Sequence, residues 1–373
     1  MCSELPLLQC IRAALQRKLS LAVSIRRRIV CVLIGTKQSQ SELKKNHNLK
    51  NQLHILGGIM WNKTVTKIVL AFAFAAASLS VNTAHAQSTG YTQTRYPIVL
   101  VHGLLGFDRL LGVYDYFYGI PGDLRSGGAR VYTANVSSSN FSEVRGEQLI
   151  RYLDSLKAAT GAQKFNLIGH SHGGPTARYV ASVRPDLVAS MTSVGAPHAG
   201  SKTADGLATI APRGSLQERL AASFVTALSV FVELLSGDND PQNALGALTS
   251  LSTAGATAFN NRFPQGKPTT SCGQGAAVVN NVRYYSMGGT NVLTNFIDVS
   301  DPVLGAAGLF FGSESNDGLV GRCSSHWGVV LRDDYSWNHG DQINQVLGLR
   351  SLFSSSPTSV YRAQANRLKL LGL

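Results

Sequence analysis

The sequence predicts an α/β protein, a mostly parallel sheet with helices on both faces and a helical lid, on three observations. From Tyr96 onward, short apolar runs alternate with amphipathic stretches. The runs are continuous rather than two-periodic, as in strands buried on both faces. One run passes through a glycine-flanked serine, Gly169-His170-Ser171-His172-Gly173, directly into a helical stretch. Such a turn belongs at the carboxyl end of a parallel strand, where ligand chemistry in these sheets sits.

In chain order, residues 1–86 come first and are not expected to join the fold. They hold 12 Lys/Arg and 2 Asp/Glu, a net charge of +10, while the remaining 287 residues carry only +3 of the total +13. The basic excess is therefore not a nucleic-acid surface on the folded body, and no nucleic-acid partner is expected. Residues 60–86 read as a secretory signal peptide. Lys63 and Lys67 precede an apolar run from Ile68 to Ala77, and Ala84-His85-Ala86 is a small-x-small cleavage site. The run is shorter than the roughly 20 residues a membrane span needs. Met60 stands where a signal peptide would start, so residues 1–59 read as an over-extended N-terminus or a long leader. Export then follows, with the mature body at residues 87–373. At 44% hydrophobic and 15% charged residues the chain has ample material for a core. In the body only Cys272 and Cys323 remain, an even pair that reads as a disulfide in an exported chain.

Pro97–Val101 is the first expected strand, followed by Val131–Val136. Ser142 is placed to cap a helix carrying Leu149, Leu153 and Leu156 and stopped by Gly161. Phe165–Ile168 is a strand, Gly174–Val183 a helix, and Met191–Val194, Arg283–Met287 and Val329–Leu331 are further strands. Gln342–Leu347 reads as helical. Between 205 and 245 the strand pattern lapses. Leu216, Leu220, Phe224, Leu228, Phe231, Val232 and Leu235 form a helical stripe, either an ordinary packed helix or a lid whose apolar face covers a site.

Ser171 is the candidate nucleophile, set at a helix N-terminus whose dipole favours developing negative charge. A serine hydroxyl needs a base. The body holds His102, His170, His172, His198, His326 and His339. In turns of this kind the order Ser, acid, His puts the base late, which leaves His326 and His339. His339, in the polar turn Trp337-Asn338-His339-Gly340-Asp341, is favoured, and His326 beside Cys323 reads as structural. The orienting carboxylate is sought among Asp298, Asp301, Glu314, Asp317, Asp333 and Asp334, with Asp317 in the Asn316-Asp317-Gly318 turn leading. An oxyanion hole needs two backbone amides, and His172 and Leu104 are the natural donors.

Together, Val101-His102-Gly103-Leu104-Leu105-Gly106-Phe107, Gly146-Glu147-Gln148-Leu149, Gly169–Gly174 and Asn338-His339 resemble the secreted, foldase-dependent triacylglycerol lipases of the Pseudomonas and Burkholderia type. The resemblance runs from about Tyr91 to the C-terminus. It implies an α/β-hydrolase fold, the triad Ser171, Asp317 and His339, an oxyanion hole at Leu104 and His172, a Cys272–Cys323 disulfide, and a lid at about 205–245. It also implies one structural calcium ion on the Asp298 and Asp341 carboxylates and the carbonyls of Gln345 and Leu349, with Asp301 as the alternative to Asp298. Oxygen ligands of this kind suit calcium. A membrane-anchored foldase chaperone in the periplasm is the implied partner. Two features depart from the family: residues 1–59, and Gly340 where relatives carry a larger apolar residue. The expected activity is ester hydrolysis at a lipid–water interface by a monomer. The alternatives are an esterase for soluble short-chain esters and a non-catalytic lipid-binding protein of the same fold.

Overall fold

A computed structural model describes residues 90–104, 106, 109–110, 114–208 and 243–373, all within one compact unit, Ala84–Leu373. The signal peptide, the N-terminal 59 residues and the apolar stripe Leu216–Leu235 lie outside the described residues. Of the expected lid, only its two ends are described.

The order of elements is β1 Ile98–Val101, a short antiparallel ribbon of β2 Arg109–Leu110 and β3 Tyr114–Asp115, α1 Ile120–Ser126, β4 Val131–Thr133, α2 Ser142–Thr160 and β5 Phe165–His170. There follow α3 Gly173–Val183, β6 Val188–Val194, α4 Lys202–Ala208, α5 Ala244–Leu251, α6 Thr253–Arg262, β7 Val278–Val279 and β8 Val282–Gly289. The chain closes with α7 Asp301–Gly308, β9 Val329–Tyr335 and α8 Pro357–Leu370, with single 3-10 turns between them. Seven strands form the main sheet, in the order β4-β1-β5-β6-β8, with β7 and β9 both on β8. Every pairing is parallel except β7 with β8.

Strand side chains alternate between faces, so a continuous apolar run feeds two cores at once. Val99 and Val101 of β1 join Leu167, Met191 and Tyr284 under Leu149 and Leu153 of α2 and Val180 of α3. Ile98 and Leu100 turn the other way, joining Ile168, Val194 and Met287 under Leu124 of α1 and Tyr361 and Ala365 of α8. Helices on both faces follow from that pattern, as the sequence predicts.

Strands extend beyond several expected limits because backbone pairing continues past the apolar residues. β5 reaches His170 and β6 starts at Val188, where their ladders still pair. The second strand is shorter than expected, ending at Thr133. Two local expectations are overturned. Ser142 does not cap α2: Phe141 holds that position, and the Ser142 hydroxyl instead lies 2.9 Å from His172 Nε2. The expected helix Gln342–Leu347 is only a 3-10 turn, Asp341–Ile343, because Asn344 and Leu347 take positive φ of 60° and 58°. Left-handed residues break a right-handed helix.

Cys272 and Cys323 form a disulfide with Cα atoms 4.6 Å apart, 51 residues apart in sequence. A loop of that length gives an upper estimate of about 4 kcal/mol from restricting the unfolded chain. Reducing it, or substituting Cys272→Ala with Cys323→Ala, is expected to lower the thermal midpoint while the helix and strand content by circular dichroism stays the same. An unchanged midpoint would count against this contribution.

Candidate active site

The site grows from one backbone crossing. Ser171 joins the end of β5 to the start of α3 and holds φ at 54°, a left-handed conformation unusual for a residue with a side chain. The chain passes so close to β1 that a Cβ on Gly173 would stand 2.1 Å from the Val101 carbonyl oxygen. Glycine is therefore required there. On the other side, a Cβ on Gly103 would come within 2.7 Å of Ser171 Cβ. The loop after β1 thus lies against the serine.

That loop is held from behind by a residue that sequence reasoning missed. Arg145 of α2 is fully buried, and its guanidinium donates to the carbonyls of His102 at 2.5 Å and Gly103 at 3.1 Å, and to Thr176 Oγ1 at 3.2 Å. Nothing in its sequence position distinguishes it from a solvated helix arginine. With those carbonyls directed at Arg145, the Leu104 N–H, which lies anti to the Gly103 carbonyl, points away from it. Neither the Leu104 nor the His172 backbone N–H donates to any partner among the described residues. Two unspent amides beside a serine are the arrangement an oxyanion requires.

Asp317 and His339 come together from separate loops. His339 Nδ1 donates to Asp317 Oδ2 at 2.8 Å, and the His339 backbone N–H donates to the Asp317 carbonyl at 2.8 Å. Asp317 is buried, and its other oxygen accepts from the amides of Leu319 at 2.9 Å and Val320 at 2.7 Å. A second missed residue, Gln342, donates its side-chain amide to Asp317 Oδ2 at 2.5 Å. The carboxylate therefore accepts four hydrogen bonds, which compensate for its burial. The His339 ring lies against the His170 ring, with centroids 4.6 Å apart, immediately before Ser171. Among the described residues the Ser171 hydroxyl has no hydrogen-bond partner. The rival candidates pair among themselves: His326 with Asp333 at 2.8 Å, Asp333 with Arg322, and Asp334 with Arg332.

The expected calcium ligands are partly brought together. Asp298, Asp301 and Asp341 are all buried. Asp301 is saturated by the amides of Thr294 and Asn295 and the Asn338 side chain. Among the described residues the Asp298 carboxylate accepts from Ser300 only. Asp341 Oδ1 is buried with no hydrogen-bond partner among the described residues. Burial, with the charges of Asp298 and Asp301 adding to it, pushes the Asp341 carboxyl up to about 7. An orphaned, electrostatically disfavoured carboxylate oxygen of this kind fits a hard cation, and Asp298 rather than Asp301 has capacity left to share it. Among the described residues no cluster of three or more His, Cys, Asp or Glu side chains has metal-binding geometry. The expected set, half of it backbone carbonyls, differs from such a cluster.

Comparison with known proteins matches residues 96–324 to the family described as alpha/beta hydrolase fold. The chain is 54% identical over 314 residues to a triacylglycerol lipase of Vibrio cholerae, covering 83% of this chain and 100% of that protein. It is 42% identical over 336 residues to a triacylglycerol lipase of Burkholderia plantarii, covering 80% and 93%. Among solved structures it resembles a lipase of Bacillus licheniformis in mature form, with TM-score 0.51 and 18% identity over 74% of this chain and 92% of that one.

The buried histidines make this region acid-sensitive. Burial, and then the Arg145 charge, lower His102 from 6.5 to about 3, and burial likewise holds His172 well below its usual value. Folded, these rings stay neutral; unfolded, they protonate near 6.5. The unfolded chain thus binds more protons below that pH, and stability is lost as pH falls, by about 1.4 kcal/mol per pH unit for each such histidine. The thermal midpoint is expected to drop from pH 6.5 towards pH 4, and His102→Gln is expected to flatten the slope. A slope unchanged by that substitution would contradict the assignment.

Proposed function

The chain belongs to the α/β-hydrolase family of triacylglycerol lipases, serine ester hydrolases, and we propose that it hydrolyses carboxylic esters at a lipid–water interface through Ser171, His339 and Asp317. The observation that carries this is the hydrogen-bonded pair of His339 and Asp317 next to a left-handed Ser171 with two unspent amides beside it. His339 Nε2 takes the Ser171 proton as Oγ attacks the acyl carbonyl. The oxyanion accepts from the Leu104 and His172 amides. His339, kept in the Nδ1–H tautomer by Asp317, then passes the proton to the departing alcohol and leaves an acyl-enzyme. Water repeats the sequence, with His339 again as base, and releases the acid.

Gln342 contributes a second donor to Asp317 Oδ2, beside His339 Nδ1, so the carboxylate stays aimed at Nδ1 while the imidazolium forms. Asp298 and Asp341, with the carbonyls of Gln345 and Leu349, would hold a calcium ion, whose charge would satisfy the orphaned Asp341 oxygen and would fix the turn two residues beyond His339. The apolar stripe within 205–245 is read as the lid over the acyl site. Residues 60–86 are read as a cleaved signal peptide and 1–59 as lying outside the mature protein, with a foldase as folding partner and the active form a monomer. Among the described residues no helix is long and apolar enough to cross a membrane.

Ser171→Ala is expected to keep the fold and to lose at least about three orders of magnitude in kcat/KM, in the range seen when a triad member is removed. Wild-type turnover in that variant would refute the nucleophile. Turnover of a triglyceride emulsion should rise sharply once an interface forms; a rate that tracks only dissolved ester would move the reading to a soluble-ester esterase. Chelation of calcium is expected to lower both the thermal midpoint and activity, with recovery on adding calcium back. Indifference of both to chelator would remove the ion from the account.

A further inference from the structure

Tyr116 and His170 have no part in the reaction as written above, yet they join its two halves. Both are buried. Tyr116 follows the β2–β3 ribbon, and His170 ends β5. The Gly103 N–H donates to Tyr116 Oη at 3.1 Å. Tyr116 Oη lies 2.8 Å from His170 Nδ1, and His170 Nε2 lies 3.1 Å from the backbone carbonyl oxygen of His339. A carbonyl oxygen only accepts, so the proton of the His170 ring belongs on Nε2. A neutral ring protonated there has a bare Nδ1, which only accepts. Tyr116 must then donate its hydroxyl proton to Nδ1 and receive the Gly103 N–H on its oxygen. For a neutral ring each of these three contacts has one donor, and the donors run in one direction from Gly103 to His339. Burial and the neighbouring His339 keep the His170 ring neutral, well below its usual value.

We propose that Tyr116 and His170 are positioning residues, a directed hydrogen-bond relay that locks the loop bearing the Leu104 amide to the loop bearing His339, so that oxyanion donor and base keep one register about Ser171. This rests on the triad reading. A core-filling tyrosine and histidine would not need complementary donors and acceptors at all three contacts. A base displaced by even an ångström loses rate rather than affinity.

The tautomer of His170 is read directly by nitrogen-15 NMR of the histidine rings in the intact enzyme, with signals assigned by comparing single His→Gln variants. The Nε2–H tautomer with a bare Nδ1 is expected. An Nδ1–H ring or an imidazolium at neutral pH would overturn the relay, because Tyr116 could then not donate. This result does not depend on which serine reacts, so it stands apart from the Ser171→Ala test of the triad. In kinetics, Tyr116→Phe keeps the ring and removes the hydroxyl. It is expected to lower kcat on a soluble p-nitrophenyl ester by about tenfold or more, a small fraction of what orientation supplies. KM should stay within about twofold, and the active-site titre with a phosphonate should be unchanged. The double variant with His170→Gln should be no slower than His170→Gln alone, since coupled residues are non-additive. An unchanged kcat in the folded variant, or losses that multiply in the double variant, would overturn the proposal. Should Tyr116→Phe not fold, the tautomer alone decides.

Discussion

Everything at this site depends on how closely three pieces of backbone approach one another at Ser171. The serine occupies a left-handed conformation that costs about 1–3 kcal/mol for a residue with a side chain. The cost is borne by a frame that leaves no alternative: β5 paired on both sides, α3 starting two residues later, and Gly173 pressed against the Val101 carbonyl. Because the crossing is so tight, the loop after β1 has nowhere to lie except against the serine. That single constraint gathers the Ser171 hydroxyl, the start of α3 and the loop after β1 at one place.

Much polarity is buried around the carboxyl ends of the central strands. Arg145, Asp317, Gln342 and three aspartates near Asn338 are all out of water. Burying a charged or polar group is costly unless hydrogen bonds compensate. Arg145 is compensated by the carbonyls of His102 and Gly103, and Asp317 by four donors. Asp341 Oδ1 and Gln342 Oε1 are left without partners among the described residues, and the orphaned carboxylate oxygen of Asp341 is the one whose charge suits a cation near the His339 turn.

Much of the fold could be read from the chain. Continuous apolar runs separated by amphipathic stretches specify buried parallel strands and their helices, since burial on both faces erases the period-two signal. The strand limits were less legible, because a ladder such as β5 with β6 goes on pairing through His170, a residue whose polarity suggests a loop. The false helix at Gln342–Leu347 shows the converse: its propensities suit a helix, but left-handed Asn344 and Leu347 turn the chain back. Ser142 has the chemistry of a cap and is used as a partner for His172 instead.

By itself, the sequence determined the layer architecture, the nucleophile turn and the order of the polar residues along the chain. These depend on local steric and periodic rules that each segment carries with it. Which polar residues meet was decided only by the tertiary structure. Asp317 could be favoured over Asp333 from its turn, but that Asp333 is claimed by His326 and Arg322 is a fact of folding. Arg145, Gln342 and Tyr116 carry no local mark of their roles. They act across separations of 42, 25 and 54 residues, on Gly103, Asp317 and His170. Hydrogen bonding at such range is set by where the sheet and its loops bring the chain, and no spacing rule along the sequence encodes it.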